Sequence, residues 1–162
     1  MKKKKNYLET SQELLFSITA ETPIPWKLKV GKKTYHWKNQ EERIHVVREG
    51  LPYESIESIS HHMGSPIKNV LQLMGIPQTT YNKKKSDSAI LDRRESEWII
   101  AVTELIGYGM EVFNHEGDKF LRWLRKPNLG LSNLTPESLL DTFTGIAQVK
   151  MELEGLDYGV FV

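Results

Sequence analysis

A chain of 162 residues, 39% hydrophobic and 27% charged, has apolar mass for one moderate domain or two small ones under an ordinary polar surface. With no cysteine it has no route to disulfides, thiol catalysis or cysteine-ligated zinc. Its longest apolar run, residues 98–102, is far too short to cross a bilayer. The formal net charge of +1 is unevenly divided. Residues 1–40 hold nine lysines against three acids, 41–91 six charges of each sign, and 92–162 seven bases against twelve acids. A basic front and an acidic back suit different partners.

Residues 1–6 read as a basic tail, either solvated or a phosphate-binding arm. Glu9, Gln12 and Glu13 interrupt what a signal peptide would keep apolar, so the expected location is the cytoplasm. Residues 8–20 suit a short helix, which Pro23 and Pro25 end. In WKLKVGKKTYHW, residues 26–37, Gly31–Lys32 serves as a two-residue turn. Trp26, Leu28 and Val30 then share one face with Lys33, Tyr35 and Trp37, because strand side chains alternate. A hairpin alone is marginal, so this face must pack on something.

Beyond residue 40 the period is helical. Ile44, Val46 and Val47 lead to a stop at Gly50. Pro52 opens a helix carrying Ile56, Ile59 and Met63. Ser65–Pro66 caps a third helix over residues 67–74. Gly75 then separates it from a fourth over 78–85, with Val70, Met74, Ile76 and Tyr81 as the apolar contacts. Two short helices about such a glycine predict a helix-turn-helix, although a plain helix pair with a solvated lysine run shares the pattern. Asp92 and Glu95 form a capping box for a helix bearing Trp98, Val102, Leu105 and Ile106, whose end Gly107 and Gly109 loosen. A helix containing Trp123 and Leu124 stops at Pro127, and another opens at Thr135–Pro136–Glu137.

Chemistry is sparse. His61 and His62 are adjacent and point about 100° apart on a helix, and His36, His45 and His115 lack ligand-like spacing. Glu152 and Glu154 fall on different helix faces. No nucleophile elbow or phosphate loop is present. The sequence predicts no enzyme, metal site or cofactor. The binding candidates are Gln78, Thr79, Thr80, Asn82, Lys83, Lys84 and Lys85. Glutamine and asparagine can read adenine edges, and threonine can meet bases or thymine methyls. Lysines set affinity through phosphate. Arg93 and Arg94 either extend that surface or are solvated helix-start residues. The end of the chain, Tyr158, Gly159, Val160, Phe161 and Val162, is either a docked tail or a segment able to enter a partner's pocket.

The spacing of Trp123-Leu124, Pro127-Asn128, Leu131, Thr135-Pro136, Leu139-Leu140, Thr142, Gly145, Val149, Leu153 and Tyr158-Gly159 resembles the toxin-binding domain of Xre/MbcA/ParS-type antitoxins. The preceding GLPYESIESISHHMGSPIKNVLQLMGIPQTTYNKKK is similar to the Xre-like DNA-binding half of the same family. The resemblance implies an all-α protein with a helix-turn-helix domain (41–91) and a linking helix with a toxin-binding domain (92–162), and the basic extension with its hairpin (1–40) lies outside the motif that carries the resemblance. It further implies a dimeric antitoxin of a type II toxin–antitoxin system that represses its own operon. Its toxin would be a RES-type, NAD-consuming protein whose active site the segment 158–162 occludes. A stand-alone transcriptional regulator with a dimerising C-terminal domain is the alternative.

Overall fold

The computed structural model describes residues 26–159. The tail and helix expected before residue 26, and Val160, Phe161 and Val162, lie outside the described residues. Strands β1 (Trp26–Val30) and β2 (Lys33–Trp37) pair antiparallel, with Trp26 opposite Trp37, Leu28 opposite Tyr35 and Val30 opposite Lys33. This is the register that the alternation predicts. Leu28 and Trp37 are fully buried.

The α-helices that follow are α1 (Gln40–Glu49), α2 (Ser55–Met63), α3 (Ile67–Met74), α4 (Gln78–Ser86) and α5 (Arg93–Val112). After them come α6 (Gly117–Leu124), two 3-10 turns (Leu129–Leu131 and Pro136–Asp141), and α7 (Phe143–Asp157). The architecture is all-α, with an N-terminal hairpin, helix-turn-helix-like helices and a C-terminal helical region.

Helix α5 is the centre of the core. Its capping box forms as predicted: Asp92 Oδ1 accepts from the Glu95 amide at 2.7 Å, and the Asp92 amide donates to Glu95 Oε2 at 2.9 Å. Trp98, Ile99, Ile100, Val102, Leu105 and Ile106 are all buried, because the hairpin, α1, α2 and α7 pack around this one helix. Polar atoms fix the neighbours in place. Glu104 Oε1 accepts from Trp37 Nε1 at 2.7 Å and from Arg43 Nε at 3.1 Å, joining hairpin and α1. Buried Ser96 Oγ accepts from the Leu51 amide at 3.0 Å, and Leu91 N donates to Leu51 O at 2.7 Å. Trp98 Nε1 donates to the Leu140 carbonyl at 2.7 Å, which holds the second 3-10 turn on α5.

Several boundaries differ from the sequence reading. Pro52 does not open α2; it bridges to Ile90, and its carbonyl accepts from the Ser55 amide and hydroxyl. Ser65 does not cap α3 with its side chain, since Pro66 occupies the cap position without a side-chain bond. Of the first apolar stripe only Val46 is buried, and Ile44 is 45% exposed. The helix expected from Thr135 is a 3-10 turn that breaks at Thr142, whose hydroxyl caps α7 by accepting from the Gly145 amide at 3.0 Å. The break lets Leu140 turn inward and present its carbonyl to Trp98.

Gly107 and Gly109 do not loosen α5, which continues through both. They are where other side chains press on its backbone. A Cβ on Gly107 would lie 2.5 Å from the Trp26 ring, and one on Gly109 would overlap the fully buried Phe120 ring. Phe120 stacks on Trp123 at 6.2 Å between ring centres, and Phe113 is tilted against both. This aromatic group seats α6. Replacing Gly109 by alanine gains up to about 1 kcal/mol of helix propensity but overpacks the ring at a cost of about 1–3 kcal/mol. Gly109→Ala should therefore lower the midpoint of thermal unfolding by several degrees. An unchanged or raised midpoint would show that Phe120 yields freely.

Candidate functional site

The helix-turn-helix forms because α3 must stop at Gly75, whose φ of +70° puts it in the left-handed region. Its amide and that of Ile76 return to the carbonyls of Gln72 and Leu71, closing the helix end. Ile76 and Tyr81 are buried, so α4 lies against the rest through one side only. Gln78, Thr79, Thr80, Asn82, Lys83 and Lys84 are exposed on the remainder. Gln78 Nε2 donates to Asn82 Oδ1 at 3.0 Å, one turn along the helix. All seven candidates thus lie on one helix, and six of them are on its solvent-exposed surface.

Lys85 stands apart. It is half-buried and forms an ion pair with Glu57 of α2. The same carboxylate accepts from the Tyr81 hydroxyl at 2.9 Å. These bonds fasten α4 to α2. The Lys85 hydrogen bond holds the Glu57 carboxyl below its ordinary range, with the Tyr81 bond adding to it and partial burial opposing. Burial, followed by the Glu57 bond and charge, pushes the Tyr81 phenol well above its usual value. The sequence had no way to single out Glu57 as the partner of this lysine, because the two are 28 residues apart.

In the C-terminal part, Tyr158 is 81% exposed where α7 stops, and Gly159 has a φ of +68°. Beside Tyr158 runs an open groove of about 700 Å³ lined by Trp26, Tyr108, Phe143, Ile146 and Lys150, among others. The Tyr108 hydroxyl donates to Asp157 Oδ2 at 3.3 Å. Further apolar side chains of the C-terminal part are exposed: Leu129 at 80% and Met151 at 69%, with Leu134 and Phe143 less so. Gly130 lies against the Glu152 carboxylate, which brings the first 3-10 turn onto α7. Leu129 and Met151 were missed in the sequence. Met151 carried a signal, since it is out of phase with buried Ile146, Val149 and Leu153.

Arg125 connects the two regions. Its Nη2 donates to the carbonyls of Met63 and Gly64, each at 2.7 Å, closing the C-terminal end of α2 from beyond α6. Among the described residues no group of three histidine, aspartate or glutamate side chains is placed to hold a metal ion. Burial, then the charge of His61, lowers the His62 pKa. Among the described residues no helix is long and apolar enough to cross a membrane.

A helix-turn-helix with an exposed polar second helix, followed by a small helical region with exposed apolar side chains, defines a two-part DNA-binding regulator. Residues 42–102 match the antitoxin Xre-like helix-turn-helix domain, and residues 109–159 match the antitoxin Xre/MbcA/ParS C-terminal toxin-binding domain. The chain thus carries, in sequence, matches to both domains of Xre-like antitoxins. It is 27% identical to an antitoxin Xre of Photorhabdus laumondii over 71% of this chain and 78% of that one. It is likewise 27% identical to an antitoxin Xre of Yersinia enterocolitica, over 73% and 80%. A Prs ADP-ribosylating antitoxin of Sphingobium is 24% identical over 74% and 80%.

The Glu57 contact has a pH signature. A carboxyl whose folded pKa is depressed contributes stability that is fully present above its unfolded value and lost as pH falls through the folded one. Wild type should therefore unfold at a higher temperature than Glu57→Gln at pH 7, and the gap should close on acidification below the ordinary carboxyl value of 4.5. A gap that stays constant down to strong acid would mean that Glu57 is not the group responsible.

Proposed function

We propose that this chain neutralises a cognate RES-type, NAD-consuming toxin by occluding its active site, and represses its own operon by binding operator DNA. It does so as a cytoplasmic homodimer. In this reading residues 1–40 are a basic extension, 41–91 read DNA, and 92–162 link to and form the toxin-binding part. One observation carries the proposal: an exposed polar helix in the helix-turn-helix and exposed apolar side chains in the C-terminal part are built on one helical core that α5 holds together. The name of the Sphingobium relative refers to ADP-ribosylation, which supports a toxin chemistry based on NAD.

On DNA, the side chains of Gln78, Thr79, Thr80 and Asn82 contact base edges, while Lys83 and Lys84 contact phosphate. A two-fold dimer sets two copies of α4 about one DNA turn apart on a near-palindromic operator. Lys85 has a different part, since its ammonium is already committed to Glu57. Toward the toxin, the segment Tyr158, Gly159, Val160, Phe161 and Val162 enters the active-site pocket, and the apolar side chains Leu129 and Met151 flank it on the docking surface.

The same exposed apolar surface also suits self-association. It therefore favours, as the second reading, a stand-alone helix-turn-helix regulator whose C-terminal part only dimerises. Co-expression with the product of the adjacent reading frame separates the two. Growth arrest and NAD loss from the neighbour alone, reversed by this chain in a stable complex, are the expected results. A harmless neighbour and no complex would leave only the regulator.

Two further outcomes are expected. Alanine at Lys83 or Lys84 should each lower the slope of log affinity against log salt by roughly 1, and alanine at Lys85 by less. Equal slopes for all three variants and wild type would remove α4 from the phosphate backbone. Deleting residues 158–162 should spare folding and operator binding while abolishing protection from the toxin. Full protection by the shortened chain would exclude this segment from the inhibitory contact.

A further inference from the structure

The hairpin is not needed to complete the helix-turn-helix, yet its outer face has an unusual composition. Residues 26–40 contain five lysines and His36 but no acid. The register places Lys27 beside His36 and Lys29 beside Thr34, on the face opposite buried Leu28 and Trp37. All four side chains are exposed, as are Lys32 in the turn and Lys33 next to it. Among the described residues Lys38, Lys85, Lys119 and Lys150 lie within 4.0 Å of a carboxylate, whereas Lys27, Lys29, Lys32 and Lys33 make no ion pair, as is also true of Lys68, Lys83, Lys84 and Lys126. A surface whose purpose is solubility mixes both signs. This one carries a single sign.

Its location is also fixed. The Ser58 hydroxyl donates to the Lys29 carbonyl at 2.7 Å, which anchors β1 to α2. The preceding residue of α2, Glu57, holds Tyr81 and Lys85 of α4. Consecutive residues of one helix therefore carry the basic strand on one side and the basic end of α4 on the other. Glu57 does not divide the two with negative charge, because Lys85 neutralises it.

We propose that the hairpin is a second DNA-contacting element. Lys27, Lys29 and Lys32 bind the phosphate backbone beside the groove that α4 enters, adding affinity that is independent of sequence. This rests on the reading that α4 binds DNA. Charge complementarity selects the ligand: a row of cations with no carboxylate among them suits a polyanion, and displaced counterions supply the free energy.

The test uses the full chain and two probes, a duplex from the promoter region upstream of its own reading frame and a random-sequence duplex of equal length. Affinity is measured between about 50 and 200 mM salt. The triple variant Lys27→Ala, Lys29→Ala, Lys32→Ala should reduce the salt slope by roughly 2–3 on both duplexes, leaving their affinity ratio unchanged. Arginine at the same three positions should restore the slope, which a merely misfolded hairpin would not allow. An alanine variant with the wild-type slope overturns the proposal. If that variant instead keeps its slope but loses a co-expressed protein partner, the face belongs to an acidic protein. Failure of the underlying reading looks different: wild type would then bind neither duplex, or Lys83→Ala and Lys84→Ala would leave its binding unaltered.

Discussion

Burial of α5 on almost every side is the constraint on which the rest of this molecule depends. A helix that is surrounded has to find a partner for each buried polar side chain, because an unmatched buried donor or acceptor costs about 1–3 kcal/mol. α5 does this along its length. Ser96 serves the chain on either side of the helix-turn-helix, Trp98 the second 3-10 turn, Glu104 both the hairpin and α1. Among the described residues no buried side-chain nitrogen or oxygen lacks a partner. The apparently separate parts are thus sectors around one axis.

The polar ties also give direction to any coupling between the two ends. Arg125 reaches from just beyond α6 to the last carbonyls of α2, and α2 in turn holds α4 through Glu57. A displacement of α6 by a bound protein would therefore act on the end of α2, one packed helix away from the exposed face of α4. The path is short. It consists of named hydrogen bonds and a rigid helix, not of diffuse flexibility.

Much of this was legible in the sequence because the signals were local. Alternation and a Gly-Lys turn define the hairpin and its register, an Asp-x-x-Glu box starts α5, and a glycine between two short apolar patterns marks the turn of the helix-turn-helix. What could not be read was non-local. Pro52 resembles a helix start, but its bridge to Ile90 comes from a strand-like pairing 38 residues away in the chain. Thr135-Pro136 resembles an α-helix start, but Trp98 draws Leu140 inward and a second cap is required at Thr142. Lys85 looks like its two neighbours until Glu57 is brought beside it. The candidate site was therefore legible as a helix, but not as a set of side chains with unequal freedom. The exposure of Met151 was hidden because an apolar residue in a helix reads as core unless its phase is checked.

The seat of Trp26 on Gly107 has an evolutionary corollary. Residue 107 falls between the two matched domains, and residue 26 lies before the first of them. The hairpin is thus an accessory docked over the seam of a two-module plan, and the missing side chain at 107 is its socket. The two positions should be inherited as a unit: among homologues, a tryptophan-bearing ribbon and a bare helix backbone at the seam should be gained and lost together. A lineage without the ribbon has no steric reason to keep glycine there, and any side chain it acquires closes the socket to the ribbon's return.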